Sequence, residues 1–404
     1  MNTRTFSTAL FIGAILLTAC GDTANRGVAT ADDPLGGSPI VARYENGLIA
    51  VDRERLTNNV ITIPLSFFTE EMQFLQLDDA DEALVAPTGV TISDNYILVH
   101  AHSRTHTPFK LFERATGRFI TNIGAFGQGP NEYSNVYHQQ LDEANNRIFL
   151  LPWQADRILV FDLQGNALDP IRLLGLRVPK GKFHVDTQAG TVTVVTLPFT
   201  GMPAVVWQQT LDGQRIQYVP PRHLAVPPDF SNEVYGRTFD GNFDFQIFTF
   251  VPRADTLFRF NPVANELQPL FTLDFGRRDL NIHSYGQTAG FFMGQISEPE
   301  QIAEHLTTTT NHRFFIVDRQ ALRGSFFRVE NDFFGNAEVG WPSFALNGKY
   351  FARNADPGDL LYELENMLSS DNDFSPEKRT RLTELKNSIS ENDNNWIMFA
   401  RMRR

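Results

Sequence analysis

The chain has 404 residues, 42% of them hydrophobic and 20% charged, with a formal net charge of -12. That balance suits a globular domain large enough to bury a sizeable core. No basic stretch exists to neutralise phosphates, which excludes a nucleic-acid partner.

At the N-terminus, Arg4 precedes an apolar run from Ala9 to Leu17. The run is too short to span a bilayer as a helix, so residues 1–19 read as a secretory signal peptide. Leu17-Thr18-Ala19-Cys20-Gly21 resembles the lipobox of bacterial lipoproteins. That resemblance implies cleavage before Cys20, diacylation of its thiol and attachment to a membrane through the lipid. Cys20 is the only cysteine, so no intrachain disulfide forms and no thiol remains for catalysis or metal. Residues 20–39, rich in Gly, Ala, Asp and Thr, read as a flexible tether. Residues 40–404 read as one domain.

From there on, short β-branched or aromatic runs alternate with Gly, Asn, Asp and Pro, which is a strand-and-turn pattern. The first copy has strands at Val90 to Ile92, Tyr96 to Val99, Phe109 to Glu113 and Arg118 to Ile123. The second runs from Gln139 to Leu174 and the third from His184 to Val219. The turn glycines Gly117, Gly165 and Gly213 are spaced 48 and 48. Such a period with four strands per unit predicts propeller blades. A fourth copy spans Phe243 to Phe275. A fifth uses Arg313 to Asp318, Ser325 to Val329 and Phe344 to Arg353. Ile61 to Phe67, Met72 to Leu77 and Trp396 to Met402 then supply a sixth, closing the ring and removing its open edges.

Helices are expected at three places: Glu298 to Leu306, Asp356 to Leu368, and Ser375 to Ser390. The last carries a Ser N-cap with Pro behind it. The prediction is therefore an all-β, six-bladed propeller closed by its terminal strands, with seven blades as the structural alternative and a few short helices near the C-terminus.

Gly127-Gln128-Gly129-Pro130-Asn131-Glu132-Tyr133 follows a strand ending in Ile123-Gly124. It resembles an element of the six-bladed β-propeller lipoproteins of Bacteroidetes-type bacteria, related in fold to TolB-like and NHL-repeat propellers. Asp255-Thr256-Leu257-Phe258, Leu273-Asp274-Phe275-Gly276 and Glu391 to Trp396 are similar to further elements of that family. Asn131 stands where the family usually has Gly, and Asn395 where it has Pro. The resemblance covers residues 40–404 and implies a cell-envelope address, with the outer membrane as the expected site. It implies no reaction.

Candidate ligand contacts are Gln128, Asn131, Glu132 and Tyr133 in the glycine-rich loop, whose simpler role is an inter-blade corner. Trp153 with Arg157 offers a stacking platform for a sugar or aromatic ligand. His102 and Arg104 lie in a His100-to-His106 cluster. His100, His102 and His106 lack a neighbouring carboxylate, so no metal is expected there. The aromatic connection holding Tyr285, Gly286, Gln287, Gly290 and Phe291 offers a lid or a loop packed on the ring. Trp207 reads as core. Two functions follow. One is a binding scaffold for a protein, small molecule or carbohydrate, with no cofactor. The other is a lactonase-like hydrolase or a lyase holding a channel-bound divalent metal such as Ca²⁺, with Asp142, Asp186 and Asp240 as candidate acids. No matched nucleophile and base is visible, which favours the scaffold.

Overall fold

The computed structural model describes residues 30, 32–239, 241–250, 253, 255–303, 306–335, 337–339, 349–369 and 374–403. The segment expected as a signal peptide, Cys20 and Asp240 lie outside them. The chain begins with β1 (Ala42–Glu45), β2 (Leu48–Asp52), β3 (Val60–Pro64), α1 (Leu65–Phe68) and β4 (Gln73–Gln76). Blade one is β5 (Val90–Ile92), β6 (Tyr96–Val99), β7 (Phe109–Glu113) and β8 (Phe119–Ile123). A short parallel pair follows, β9 (Ala125–Phe126) with β10 (Glu132–Tyr133). Blade two is β11 (Val136–Asp142), β12 (Arg147–Pro152), β13 (Arg157–Phe161) and β14 (Ala167–Arg172). Blade three is β15 (Gly181–Asp186), β16 (Thr191–Thr196), β17 (Val206–Thr210) and β18 (Arg215–Val219).

Blade four is β19 (Glu233–Phe239), β20 (Asn242–Phe248), β21 (Thr256–Asn261) and β22 (Glu266–Asp274). Blade five is β23 (Ile282–Gln287), β24 (Phe291–Ala303), β25 (Leu306–Asp318) and β26 (Gly324–Asn331), with β27 (Ala337–Val339) beside β26. Blade six joins β28 (Tyr350–Ala355), β29 (Trp396–Arg401) and β4. Two helices, α2 (Pro357–Ser369) and α3 (Pro376–Ser388), lie between β28 and β29.

Successive residues of a strand point to opposite faces, and every blade here has a neighbour on both faces. The buried apolar side chains accordingly form six clusters, one at each interface between consecutive blades. Ile97, Val99 and Phe112 of blade one pack with Ile397 and Phe399 of blade six. Leu98, Phe109 and Leu111 pack the other way, with Ile148, Leu150 and Phe161 of blade two. Phe149, Leu151 and Ile158 continue to Val192, Val194 and Trp207 of blade three. The same relay runs through blades four and five to six. Burial on both faces is why strands such as Ile148 to Leu151 are uninterrupted apolar runs.

The 48-residue glycines have two jobs. Each has a positive φ: +74° at Gly117, +85° at Gly165 and +86° at Gly213, which the tight turn between third and fourth strands requires. Each turn also presses on the outermost strand of the preceding blade. A Cβ at Gly117 would lie 2.0 Å from the Gln76 carbonyl oxygen, and one at Gly165 would lie 2.7 Å from that of Asn122.

Ring closure is more extensive than expected. β2 pairs in parallel with β22 on blade four, β3 in parallel with β26 on blade five, and β4 antiparallel with β29 in blade six. The N-terminal segment thus belts three outer edges before blade one begins, covering edges that would otherwise template aggregation. Val60–Pro64 belongs to blade five, with Leu65–Phe68 helical, which corrects the expectation that Ile61 to Phe67 is a strand of blade six. β28 belongs to blade six rather than five, and Phe344 to Gly348 lie outside the described residues. The C-terminal motif locks the ring. Buried Asn394 donates to the carbonyls of Asp78 (2.8 Å) and Ala83 (3.0 Å), and its side-chain oxygen receives Val85 N–H at 3.1 Å.

Two of the three expected helices form. α3 begins at Ser375, whose hydroxyl accepts from Lys378 N–H at 3.2 Å. Leu360, Leu364, Met367 and Leu382 bury against blade six. The third, Glu298 to Leu306, is instead the outer half of the β24–β25 hairpin, with Glu298 opposite Thr310 and Glu300 opposite Thr308. The run Thr307 to Thr310 explains this, because β-branched residues favour strands over helices. The Tyr285 to Phe291 connection is likewise part of β23 and β24 and their turn, not a lid. Part of the stretch expected as a tether packs on the ring. Leu35 is fully buried, and Asp33 pairs with Arg323 at 2.8 Å.

Candidate functional site

In each four-stranded blade, the loops entering the first strand and those joining the second to the third share one face of the ring, called here the upper face. The loops at 124–135, 100–108 and 153–156 lie on it, so every ligand contact expected from sequence maps to this face. Their individual settings differ. Tyr133 is 2% exposed; its hydroxyl donates to the Ile123 carbonyl (2.7 Å) and accepts from Phe109 N–H (2.9 Å). That is a corner between blades one and two. Burial drives its phenol pKa upward. Gln128, Asn131 and Glu132 are exposed, and Glu132 receives Gly129 N–H at 2.9 Å. Gly124, at φ +66°, leaves no room for a Cβ beside the Tyr133 ring.

The histidine cluster separates. His100 turns into the ring, where its Nε2 lies 2.9 Å from Thr91 Oγ1 and 3.0 Å from Gln139 Nε2 of blade two. His102 and His106 stay in the loop, with His102 against Thr105 and His106 against Phe126. Arg104 is exposed on the same loop. Among the described residues, no three His, Asp or Glu side chains form a metal-ligand group. Asp142 and Asp186 lie at the lower ends of their strands. There they hold turns: Asp142 accepts from Asn145 and Thr187, and Asp186 from Ala189 N–H.

The innermost strands are polar because their side chains serve neighbouring blades. The Gln140 amide binds both N–H and C=O of Val185, at 2.9 and 2.8 Å, as a strand partner would. Gln246, on the second strand of blade four, does the same for Tyr285 N–H and His283 C=O of blade five. His138 accepts from Phe183 N–H at 3.2 Å, and His184 Nδ1 lies 3.0 Å from Thr238 Oγ1.

At the upper mouth of the channel, three blades bring charge together. Lys180 pairs with Glu233 and donates to the Asn232 carbonyl at 3.0 Å. Glu233 also receives the Tyr137 hydroxyl. Lys182 donates to the Tyr137 carbonyl at 3.0 Å, and both ammonium groups lie over the Tyr137 ring, at 5.4 and 5.5 Å. Burial pulls the Lys182 pKa down to about 8, with Glu233 opposing and Lys180 reinforcing the shift. Burial pushes Tyr235 up to about 12. It also pushes Tyr137 upward, helped by Glu233.

On the same face, Trp153 and Phe230 are each 43% exposed and meet edge-to-face at 5.8 Å, with Phe199 behind. Arg157 pairs with its neighbour Asp156 at 2.8 Å. Trp207 is core. The lysine cluster is absent from the sequence-based expectations. Its one signal is Lys180-Gly181-Lys182, which holds two of only six lysines in the chain.

No helix among the described residues is long and apolar enough to cross a membrane. No curated protein matches the sequence. The structure is similar to that of a candidate exported protein from Bacteroides fragilis. The TM-score is 0.55 at 15% identity, over 88% of this chain and 100% of that one. A member of the DUF4221 family from Bacteroides vulgatus follows at 0.43 and 10% identity, over 83% and 97%. The first likeness is of fold alone. The family model for a domain of unknown function, DUF4934, matches residues 48–401. The chain, a six-bladed β-propeller, belongs to the DUF4934 family.

Proposed function

We propose that the protein is a lipid-anchored propeller of the bacterial cell envelope that binds a ligand at the upper mouth of its channel. The observation that carries this reading is the convergence of Lys180, Lys182, Tyr137 and Glu233 from three blades, near the exposed Trp153–Phe230 pair. The half-exposed Trp153 and Phe230 rings offer apolar surface, and buried Lys180 with half-buried Lys182 offers charge at reduced dielectric. The fitting ligand carries a ring and a negative group, such as an acidic sugar. Of the candidate acids, Asp142 and Asp186 hold turns at the lower ends of their strands.

The anchor reading rests on the lipobox-like residues ending at Cys20. Residues 33–41 meet the turn at 318–324, through Arg323 and the Leu322 carbonyl. That turn joins third and fourth strands and so lies on the lower face. From Cys20 to Asp33 an extended chain reaches at most about 45 Å. An anchor there holds the lower face towards the bilayer and leaves the upper face open.

Calorimetric titration with oligogalacturonate is expected to show binding that neutral dextran oligosaccharides lack. Trp153→Ala and Lys182→Met should each weaken it about tenfold or more, in keeping with loss of an aromatic or charged contact. Unchanged affinity in both variants would reject the site. Cys20→Ser should move the protein from the membrane to the soluble fraction; unaltered fractionation would reject the anchor. Stoichiometric Ca²⁺ in the purified protein would overturn the preference for a non-enzymatic scaffold.

A further inference from the structure

Between β2 and β3 the N-terminal segment crosses from the outer edge of blade four to that of blade five. Three arginines from separate segments meet at this crossing. Arg53 follows β2, Arg278 lies in the turn that leaves β22, and Arg313 is on β25. The first two segments are held together: Arg53 N–H donates to the Asp274 carbonyl at 2.9 Å, and Glu54 packs on Gly276. Arg53 and Arg313 share one buried ring, Phe326, with their guanidinium carbons 5.1 and 3.6 Å from its centroid.

Arg53 is 8% exposed and short of partners. Its Nε is buried with no hydrogen bond, and its Nη1 meets the Leu56 carbonyl only at 3.4 Å. Arg313 reaches Asn58 Oδ1 with both Nη atoms, each at 3.4 Å. Among the described residues none of the three arginines has a carboxylate in ion-pair range. Nearby, Asp52 is taken by Arg55 and Asp274 by Arg43. Glu54 and Asp279 stand exposed on the same two turns. Burial pulls the Arg53 pKa down to about 10, and Arg278 and Arg313 add to the fall. Burial and Arg278 lower Arg313 as well. Guanidinium groups stay charged at neutral pH. The fold therefore gathers three like charges and buries one of them without an anion, which is costly. The cluster is open to solvent, since Arg278 and Asn58 are exposed and Arg313 is half-buried. A carboxylate fills one guanidinium edge, whereas a tetrahedral anion presents oxygens in several directions.

We propose that Arg53, Arg278 and Arg313 form a binding site for a tetrahedral dianion of the phosphate type, free or esterified to a small soluble molecule. The guest docks on the solvent side against Arg278 and Arg313, and Arg53 supports it with charge from the buried side. The site lies on the outer strands, apart from the lysine cluster at the channel mouth.

The test titrates the full chain with sodium phosphate near neutral pH, against sodium chloride and sodium acetate at equal ionic strength, and with glucose 6-phosphate. Phosphate is expected to bind and to raise Tm beyond either control salt. Arg278→Gln and Arg313→Gln should each weaken binding about fivefold or more, as loss of a charge-assisted hydrogen bond does. Arg53→Met separates binding from folding. It replaces an unpaired buried charge with an apolar chain, so without phosphate its Tm should equal or exceed that of wild type, while the gain on adding phosphate is lost. Tighter binding of glucose 6-phosphate than of phosphate identifies an ester as the guest, and weaker binding identifies the free ion. Phosphate that acts like chloride overturns the proposal. So does unchanged phosphate binding in either Arg278→Gln or Arg313→Gln, acetate binding as well as phosphate, or a Tm loss in Arg53→Met that leaves phosphate binding intact.

Discussion

Lowering the pH from 7.5 to 4.5 is expected to destabilise the ring, with His100 alone contributing about 2.5 kcal/mol of the loss. Three histidines stand at consecutive blade interfaces. His100 bridges blades one and two, His138 two and three, and His184 three and four. His138 must keep a bare Nδ1 to accept Phe183 N–H. Burial lowers all three: His100 to about 4, His138 well below its usual range, and His184 in the same direction. Lys182 adds to the shift of the first two, whereas Asp186 and Asp142 oppose it at His184. The sign follows from linkage. An unfolded histidine takes its proton near 6.5, and the folded one resists until a lower pH. Stability is therefore complete above about 6.5 and falls as the pH drops towards the folded value. Asp255, raised to about 7, works the other way, since its folded carboxyl takes up a proton first. Urea unfolding of wild type and His100→Gln at both pH values isolates the histidine contribution. The variant should lose about 2.5 kcal/mol less than wild type, and parallel losses would show that His100 does not couple the blades to pH.

Tyr133→Phe is expected to cost about 2–6 kcal/mol. The substitution keeps the ring, which packs edge-on against Phe109 and Phe126. It removes only the hydroxyl, leaving Phe109 N–H and Ile123 C=O buried without their partner. Each such group costs about 1–3 kcal/mol. Glu132→Gln, by contrast, should change stability by less than about 0.5 kcal/mol, because Glu132 is exposed and an amide oxygen can still receive Gly129 N–H. Chemical denaturation of both variants decides whether the glycine-rich loop is a corner held by Tyr133. A loss under 0.5 kcal/mol in Tyr133→Phe would sink that reading. Tyr285 repeats the arrangement between blades four and five, with Leu273 N–H at 2.9 Å from its hydroxyl.

The amino-acid sequence by itself determined the blade. Alternating apolar strands, positive-φ glycines at 48-residue spacing and the Ser375-Pro376 helix start are local features, and each sets a local conformation. From them the propeller, its six-fold count and two of three helices were legible. The glycine-rich loop was legible as a corner, although not the residue that holds it. Only the tertiary structure decided which edge each N-terminal strand takes, because a strand's pattern does not say which neighbour it meets. Strands β19 and β23 were missed for a related reason. Next to the channel, side chains are polar so that they can hydrogen-bond to a blade 37 or more residues away, and this erases the apolar alternation that marks a strand. The same long-range pairing assembles Lys180 with Glu233 and brings the Tyr137 hydroxyl onto that carboxylate. Those distances are set by closure of the ring, not by spacing along the chain.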